Sequence, residues 1–158
     1  MIPEAFLVLW SGAVGLVVGS YLNVLVHRLP RGLSTVTPRS RCPACGAPIR
    51  ARDNLPVVSW LLLRGRCRDC RAPIPARYPL IEAATGLLFA FAGWHFGFTA
   101  AGFGALLFVA ALIALTGIDF DTQLLPDDIT LPLLWLGLAL NAFSVYTDLK
   151  SAVIGRSS

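Results

Sequence analysis

The stretch ALTGIDFDTQLLPDDITLPLL, Ala114 to Leu134, decides how the chain is read. A long apolar run ends in carboxylates, and a second apolar run begins just past them. Asp119, Asp121, Asp127 and Asp128 fall within ten residues, with no Lys or Arg among them. Apolar helices on both sides would hold these acids at a membrane surface, where an ionisable group is costly enough to suggest a function. The bland alternative is a hydrated turn between two spans, with Asp127 or Asp128 as N-cap of the second helix. For those two residues it is the stronger reading.

Outward from this stretch, the bulk composition agrees with a membrane setting. A hydrophobic content of 56%, a charged content of 14% and a mean hydropathy of +0.69 describe an integral membrane protein and not a soluble domain. The basic residues are concentrated: 11 of the 13 lie between Arg28 and Arg77, where only Asp53 and Asp69 oppose them, and the other two are Lys150 and Arg156. A basic loop between apolar spans is the mark of the cytoplasmic side, so nucleic acid is not an expected partner and membrane lipid is.

Four apolar runs are long enough to approach the roughly 20 residues that cross a bilayer. They are Ala5–Val26, Pro79–Phe98, Thr99–Ile118 and Ile129–Tyr146. Only Glu4 stands as a charge before the first, with no basic n-region or cleavage site, so that run reads as a retained anchor. Ser11, Gly15, Gly19, Asn23 and His27 recur every four residues in it. On a helix they form a narrow strip of small and polar side chains that lets another helix approach closely and gives Asn23 a partner within the bundle. For His27 a place at the lipid interface is the preferred reading. Glu82, early in the second run, could answer the helix dipole, pair with Arg77 or join a site beside Asp119; Asn141 has no evident partner.

The polar segment Arg28–Tyr78 holds all four cysteines, in CPAC at Cys42 and Cys45 and CRDC at Cys67 and Cys70, with 21 residues between the pairs. Two such pairs resemble zinc knuckles, each supplying two thiolates from a tight turn so that four sulfurs surround one tetrahedral ion. Disulfides are the alternative, but a cytoplasmic loop sits in a reducing compartment. CPACGAPI and CRDCRAPI read as an imperfect duplication, with a short element over DNLPVVSWLLLRG that either packs on the knuckles or dips into the interface. The expected organisation is an all-α polytopic membrane protein with about four transmembrane helices and a cytoplasmic four-cysteine zinc loop. Its parts are residues 1–27 as the first helix, 28–78 as the loop, and 79–158 as three further helices.

Together GSYLNVLVHRLPRG, the two CxxC pairs, DNLPVVSWLLLRGRC, RYPLIEAATG and GIDFDTQLLPD resemble, in order and over essentially the whole chain, the prepilin leader peptidase/N-methyltransferase family. The resemblance implies a bacterial inner-membrane enzyme. It would cleave the leader of type IV prepilins or type II secretion pseudopilins on the cytoplasmic side and methylate the new N-terminus with S-adenosylmethionine. It also implies that Asp119 is the first of two catalytic aspartates. The second belongs to a GxGD motif, and this sequence contains none. The chain is therefore expected to be the amino-terminal half of such an enzyme, with a missing C-terminal half bearing GxGD as a partner, and to be inactive as a protease alone. A different class of reading is a non-enzymatic, zinc-bearing membrane scaffold, a degenerate relative that binds pilin precursors.

Overall fold

A computed structural model describes residues 3–37, 40–123, 126–143 and 145–146. The elements are helices α1 (Glu4–Arg28), α2 (Val58–Leu62), α3 (Arg77–Phe96), α4 (Ala100–Thr122) and α5 (Asp127–Ala142), with 3-10 turns at Leu29–Arg31 and Ala51–Asp53. No strand forms among the described residues; the only ladder pairing there is two isolated bridges in the cysteine segment. Thr147–Ser158, with Lys150 and Arg156 among them, lie outside the described residues.

The helices stand where apolar runs meet good terminators. α1 begins after Pro3, whose fixed φ suits a helix entry, and runs out through a 3-10 turn onto Gly32 at φ 63. α4 starts at Thr99, whose hydroxyl accepts from the Gly102 amide at 3.0 Å, and stops at Gln123 in the left-handed region. The helix continues past the expected end at Ile118 and takes Asp119 and Asp121 into its last turn. Pro126, with extended backbone, occupies the N-cap position of α5, so Asp127 and Asp128 are not caps; they sit in the first turn, where the helix dipole favours them. Asn141 does have a partner, the Gly137 carbonyl at 3.0 Å.

α1 and α3 are antiparallel and touch through backbone. An added Cβ on Gly15 would meet the Phe89 Cβ at 2.6 Å and the Thr85 carbonyl at 2.8 Å; one on Gly19 would meet the Glu82 Cα at 2.8 Å. The strip read from the sequence is this contact: Ser11, Gly15, Gly19 and Asn23 are buried, and His27 is exposed. Small residues at this spacing allow dispersion contact along two backbones, which is what drives helix association where no water is available to be released. α4 packs antiparallel to α3, bringing Gly117 against Val26 near the end of α1. α5 returns along α4, with Leu140 against Gly104. The buried centre is small and consists of Leu22, Val26, Thr85, Phe89, Ala92, Ala114 and Ile118.

Among the described residues two helices, Glu4–Arg31 (α1 with its 3-10 extension) and α4, are long and apolar enough to cross a membrane. α3 has the length but carries Arg77, Glu82 and His95, and the 16 residues of α5 span about 24 Å, short of a hydrocarbon core of about 30 Å.

Replacing Gly15 by Ala is expected to destabilise the bundle by about 1–3 kcal/mol, because both atoms met by the new methyl belong to or are fixed by the α3 backbone. Gly137→Ala, in open space on α5, should instead be neutral or gain up to about 1 kcal/mol of helix propensity. Thermal unfolding of both variants in detergent checks the contrast.

Candidate functional site

The cysteine segment folds as two copies of one turn. In the first, Cys42 donates its amide to the Ala47 carbonyl at 2.9 Å and receives the Gly46 amide at 2.9 Å. In the second, Cys67 donates to Ala72 at 2.8 Å and receives Arg71 at 3.0 Å. The flanking bridges are likewise equivalent, Arg41 with Pro48 and Arg66 with Pro73. Each turn needs a residue in the left-handed region just after its second cysteine. Gly46 adopts φ 71 at no cost, whereas Arg71 at φ 61 carries a Cβ there and is strained.

All four sulfurs lie within 4.8 Å of one another, and Cys42 Sγ is 3.7 Å from Cys70 Sγ. A disulfide would need about 2.05 Å. Four thiolates at a Zn–S distance of about 2.3 Å in a regular tetrahedron sit about 3.8 Å apart. The observed spread is that of a set ready to close on one ion of this size. Electrostatics points the same way. The amides of Cys45 and Ala44 lower the Cys42 pKa to about 7, with help from the Cys67 and Cys45 thiols and against the effect of burial. Cys70, although the Ala72 amide favours its thiolate, is pushed up to about 12 by burial and by hydrogen bonds from Cys45, Cys67 and Cys42. One thiolate forms readily and later ones repel it, so a fully ionised set requires a cation between the sulfurs.

The rest of the segment braces these turns. α2 packs on the second through Trp60, which donates to the Ile74 carbonyl at 3.0 Å and lies flat against Gly65. Arg68, between the cysteines of CRDC, forks onto Asp53 with distances of 2.6–3.0 Å and thereby holds that carboxyl below its usual range. This clasp is complete above the ordinary aspartate pKa and is lost only as pH falls through the lowered folded value.

The segment joins the bundle at the end where α1 finishes, α3 begins and α4 finishes. There Arg77 donates to Asp121 Oδ1 at 2.5 Å and to the Gly117 carbonyl at 3.0 Å. Asp119, in the same turn of α4, is exposed and its carboxylate meets no hydrogen-bond or ion-pair partner among the described residues. Asn23 donates to the Tyr78 carbonyl at 3.1 Å, tying α1 to the start of α3. Glu82 does not pair with Arg77: its Oε2 accepts the Val57 amide at 2.6 Å. The claims of Arg77 on α4 and of Glu82 on Val57 join residues far apart in sequence and carry no local signal.

Substituting Ser at Cys42 or Cys67 is expected to lower zinc uptake and to open the loop to protease, both measured on purified protein. Arg71→Gly should leave zinc uptake unchanged and raise the loop's stability by about 1 kcal/mol by relieving the left-handed residue, read as slower limited proteolysis.

Comparison with known proteins places this geometry. Residues 13–96 match the bacterial peptidase A24 N-terminal domain, and residues 106–157 match the type IV leader peptidase family. Among similar proteins are the prepilin leader peptidase/N-methyltransferases of Stutzerimonas stutzeri (44% identical, covering 97% of this chain and 61% of that protein) and Neisseria gonorrhoeae (43%, 95% and 61%). That of Pseudomonas aeruginosa is 46% identical, covering 97% of this chain and 60% of the relative. The chain thus spans about three fifths of the length of the relatives it matches. No solved structure gives a significant match. With one family model covering its amino-terminal half and the cysteine module, and a second covering the aspartate-bearing helix, the chain belongs to the type IV leader peptidase family.

Proposed function

We propose that the chain serves leader cleavage of type IV prepilins or type II secretion pseudopilins, with Asp119 as one of two catalytic carboxylates, in an enzyme that also methylates the new amino terminus. The observation that carries this reading is the unequal fate of the two aspartates in the last turn of α4. Aspartic proteolysis needs a pair of carboxyls that share a proton, one activating water and the other polarising the scissile carbonyl. A carboxylate whose oxygen is already held by a guanidinium is not free to turn toward a second carboxyl. Arg77 so engages Asp121, while Asp119 stands open beside the cysteine module. Its partner carboxylate comes from a GxGD segment that this sequence does not contain.

The setting is a bacterial inner membrane crossed four times, by α1, α3, α4 and α5, with the cysteine module in the cytoplasm. Only 22% of the apolar window of α1 and 33% of that of α4 is buried within the protein, far less than a core helix of a soluble fold would show. Leu87 and Phe91 on α3 and Leu134 and Trp135 on α5 are also exposed. Lipid is the solvent that makes so much exposed apolar surface stable. The arginine-rich loop belongs on the cytoplasmic side by the positive-inside rule. Zinc held by Cys42, Cys45, Cys67 and Cys70 would order that loop over the mouth of the bundle and neutralise charge that the thiols cannot carry alone. The methyl donor implied for the second reaction is S-adenosylmethionine. Among the described residues there is no Gly-rich strand-to-helix turn to cradle it, and no step is assigned to it.

The test is a leader-cleavage assay with purified prepilin. The chain alone is expected to give no product, and co-expression with the GxGD-bearing part of a relative is expected to restore cleavage. In that complemented enzyme Asp119→Asn should lower the rate by at least about 10²–10⁴-fold, the usual contribution of general acid–base catalysis. Asp121→Asn should cost far less. Cleavage that survives Asp119→Asn would falsify the assignment.

A further inference from the structure

The segment that carries the cysteines does not stand clear of the helices. It laps back along their sides at two points. Tyr21, seven residues or about 10 Å before the end of α1, donates its hydroxyl to Thr35. Glu82, five residues or about 7.5 Å into α3, takes the Val57 amide. Thr35 and Val57 therefore lie beside the outer turns of the bundle, at a depth that the four-span reading assigns to the lipid interface.

The backbone at Val57 and the helix after it are both unusual. Val57 itself adopts φ 61 and ψ −49 and closes a three-residue turn in which Val58 donates to Pro56 at 2.6 Å. A β-branched residue in that rare, strained turn persists only where its surroundings enforce it. The turn launches α2, and α2 is two-sided. Trp60 faces the second knuckle and Ser59 is buried, while Leu55 (52%), Val58 (51%), Leu61 (61%) and Leu62 (77%) are largely exposed. Arg64 and Arg66 come directly after it, both exposed and with no carboxylate partner among the described residues.

We propose that Leu55, Val58, Leu61 and Leu62, with Arg64 and Arg66, form an interfacial foot by which the cysteine module rests on the bilayer. The partner is the boundary between anionic headgroups and acyl chains in the adjoining leaflet. Apolar side chains at interface depth enter the acyl region, and the arginines reach outward from it to headgroup phosphates. Glu82 sets the depth by holding Val57, and the strained turn there launches α2. The foot fixes the module's height above Asp119, a task that the basic charge of the loop alone would leave loose. This inference rests on the four-span reading of the bundle.

The experiment places the photoreactive residue p-benzoylphenylalanine singly at Leu62, at Leu61, at Leu87 on the exposed face of α3, and at Ala44 on the first knuckle. The full chain is reconstituted into vesicles of phosphatidylcholine with or without phosphatidylglycerol, and adducts are read by mass spectrometry. Lipid adducts are expected at Leu61, Leu62 and Leu87 and not at Ala44. At Leu62 the yield should rise with phosphatidylglycerol and fall on Arg64→Gln and Arg66→Gln, with the docked-to-undocked ratio dropping on the order of fivefold for each arginine removed. Lipid adducts at Leu87 combined with none at Leu61 and Leu62, or with adducts there to polypeptide instead, overturn the foot and leave the spans standing. Absence of lipid at Leu87 as well overturns the four-span reading and the foot with it.

Discussion

Two helices that meet with glycines set against the facing backbone determine the rest of the structure. Gly15 and Gly19 on α1 lie so close to Thr85, Gly86 and Glu82 on α3 that a single methyl would collide with backbone. In a lipid setting such contact is the main source of helix affinity, since burying a leucine there gains little over leaving it in acyl chains. The consequence reaches beyond the pair. Because α1 and α3 are antiparallel and in contact along their length, the end of one and the start of the other are neighbours, and the polar segment between them must begin and finish at the same end of the bundle.

That closure explains why a segment with few apolar residues can have a definite shape. Its ends are held by the helices, its middle by Asp53 and Arg68 and by Glu82 and Val57, and its two knuckles by a repeated backbone turn. The sulfurs are left as a compact set whose own charges oppose full ionisation. A metal bound there would supply the missing positive charge, and order in the loop and affinity for the ion would then be one free energy seen from two sides.

At the same end, one arginine makes two similar aspartates different. Arg77 grips α4 through the Asp121 carboxylate and the Gly117 carbonyl, fixing the helix's last turn and leaving Asp119 unengaged. The ion pair is partly exposed and so contributes little to stability. Its effect is on placement, since it turns one carboxylate toward Arg77 and leaves the other open.

Much of this was legible in the sequence. The long helices announce themselves as apolar runs, the strip from Ser11 to Asn23 follows from helical spacing, and the knuckles follow from cysteines three residues apart with a repeated turn around them. All of these depend on residues a few positions from one another, where backbone geometry alone fixes who is near whom. Other features needed the docked helices. Whether Arg77 would take Glu82, five residues away, or Asp121, 44 away, could not be read from spacing. Nor could the recruitment of Glu82 by Val57, 25 residues before it, or the extension of α4 through both aspartates with Pro126 standing as the cap of α5. Local periodicity told which residues would be helical and which would bind together in a turn. Choice among distant charged partners was settled by helix docking, α1 on α3 through the glycines and α4 against both, because docking determines which helix ends are brought within a hydrogen bond of each other.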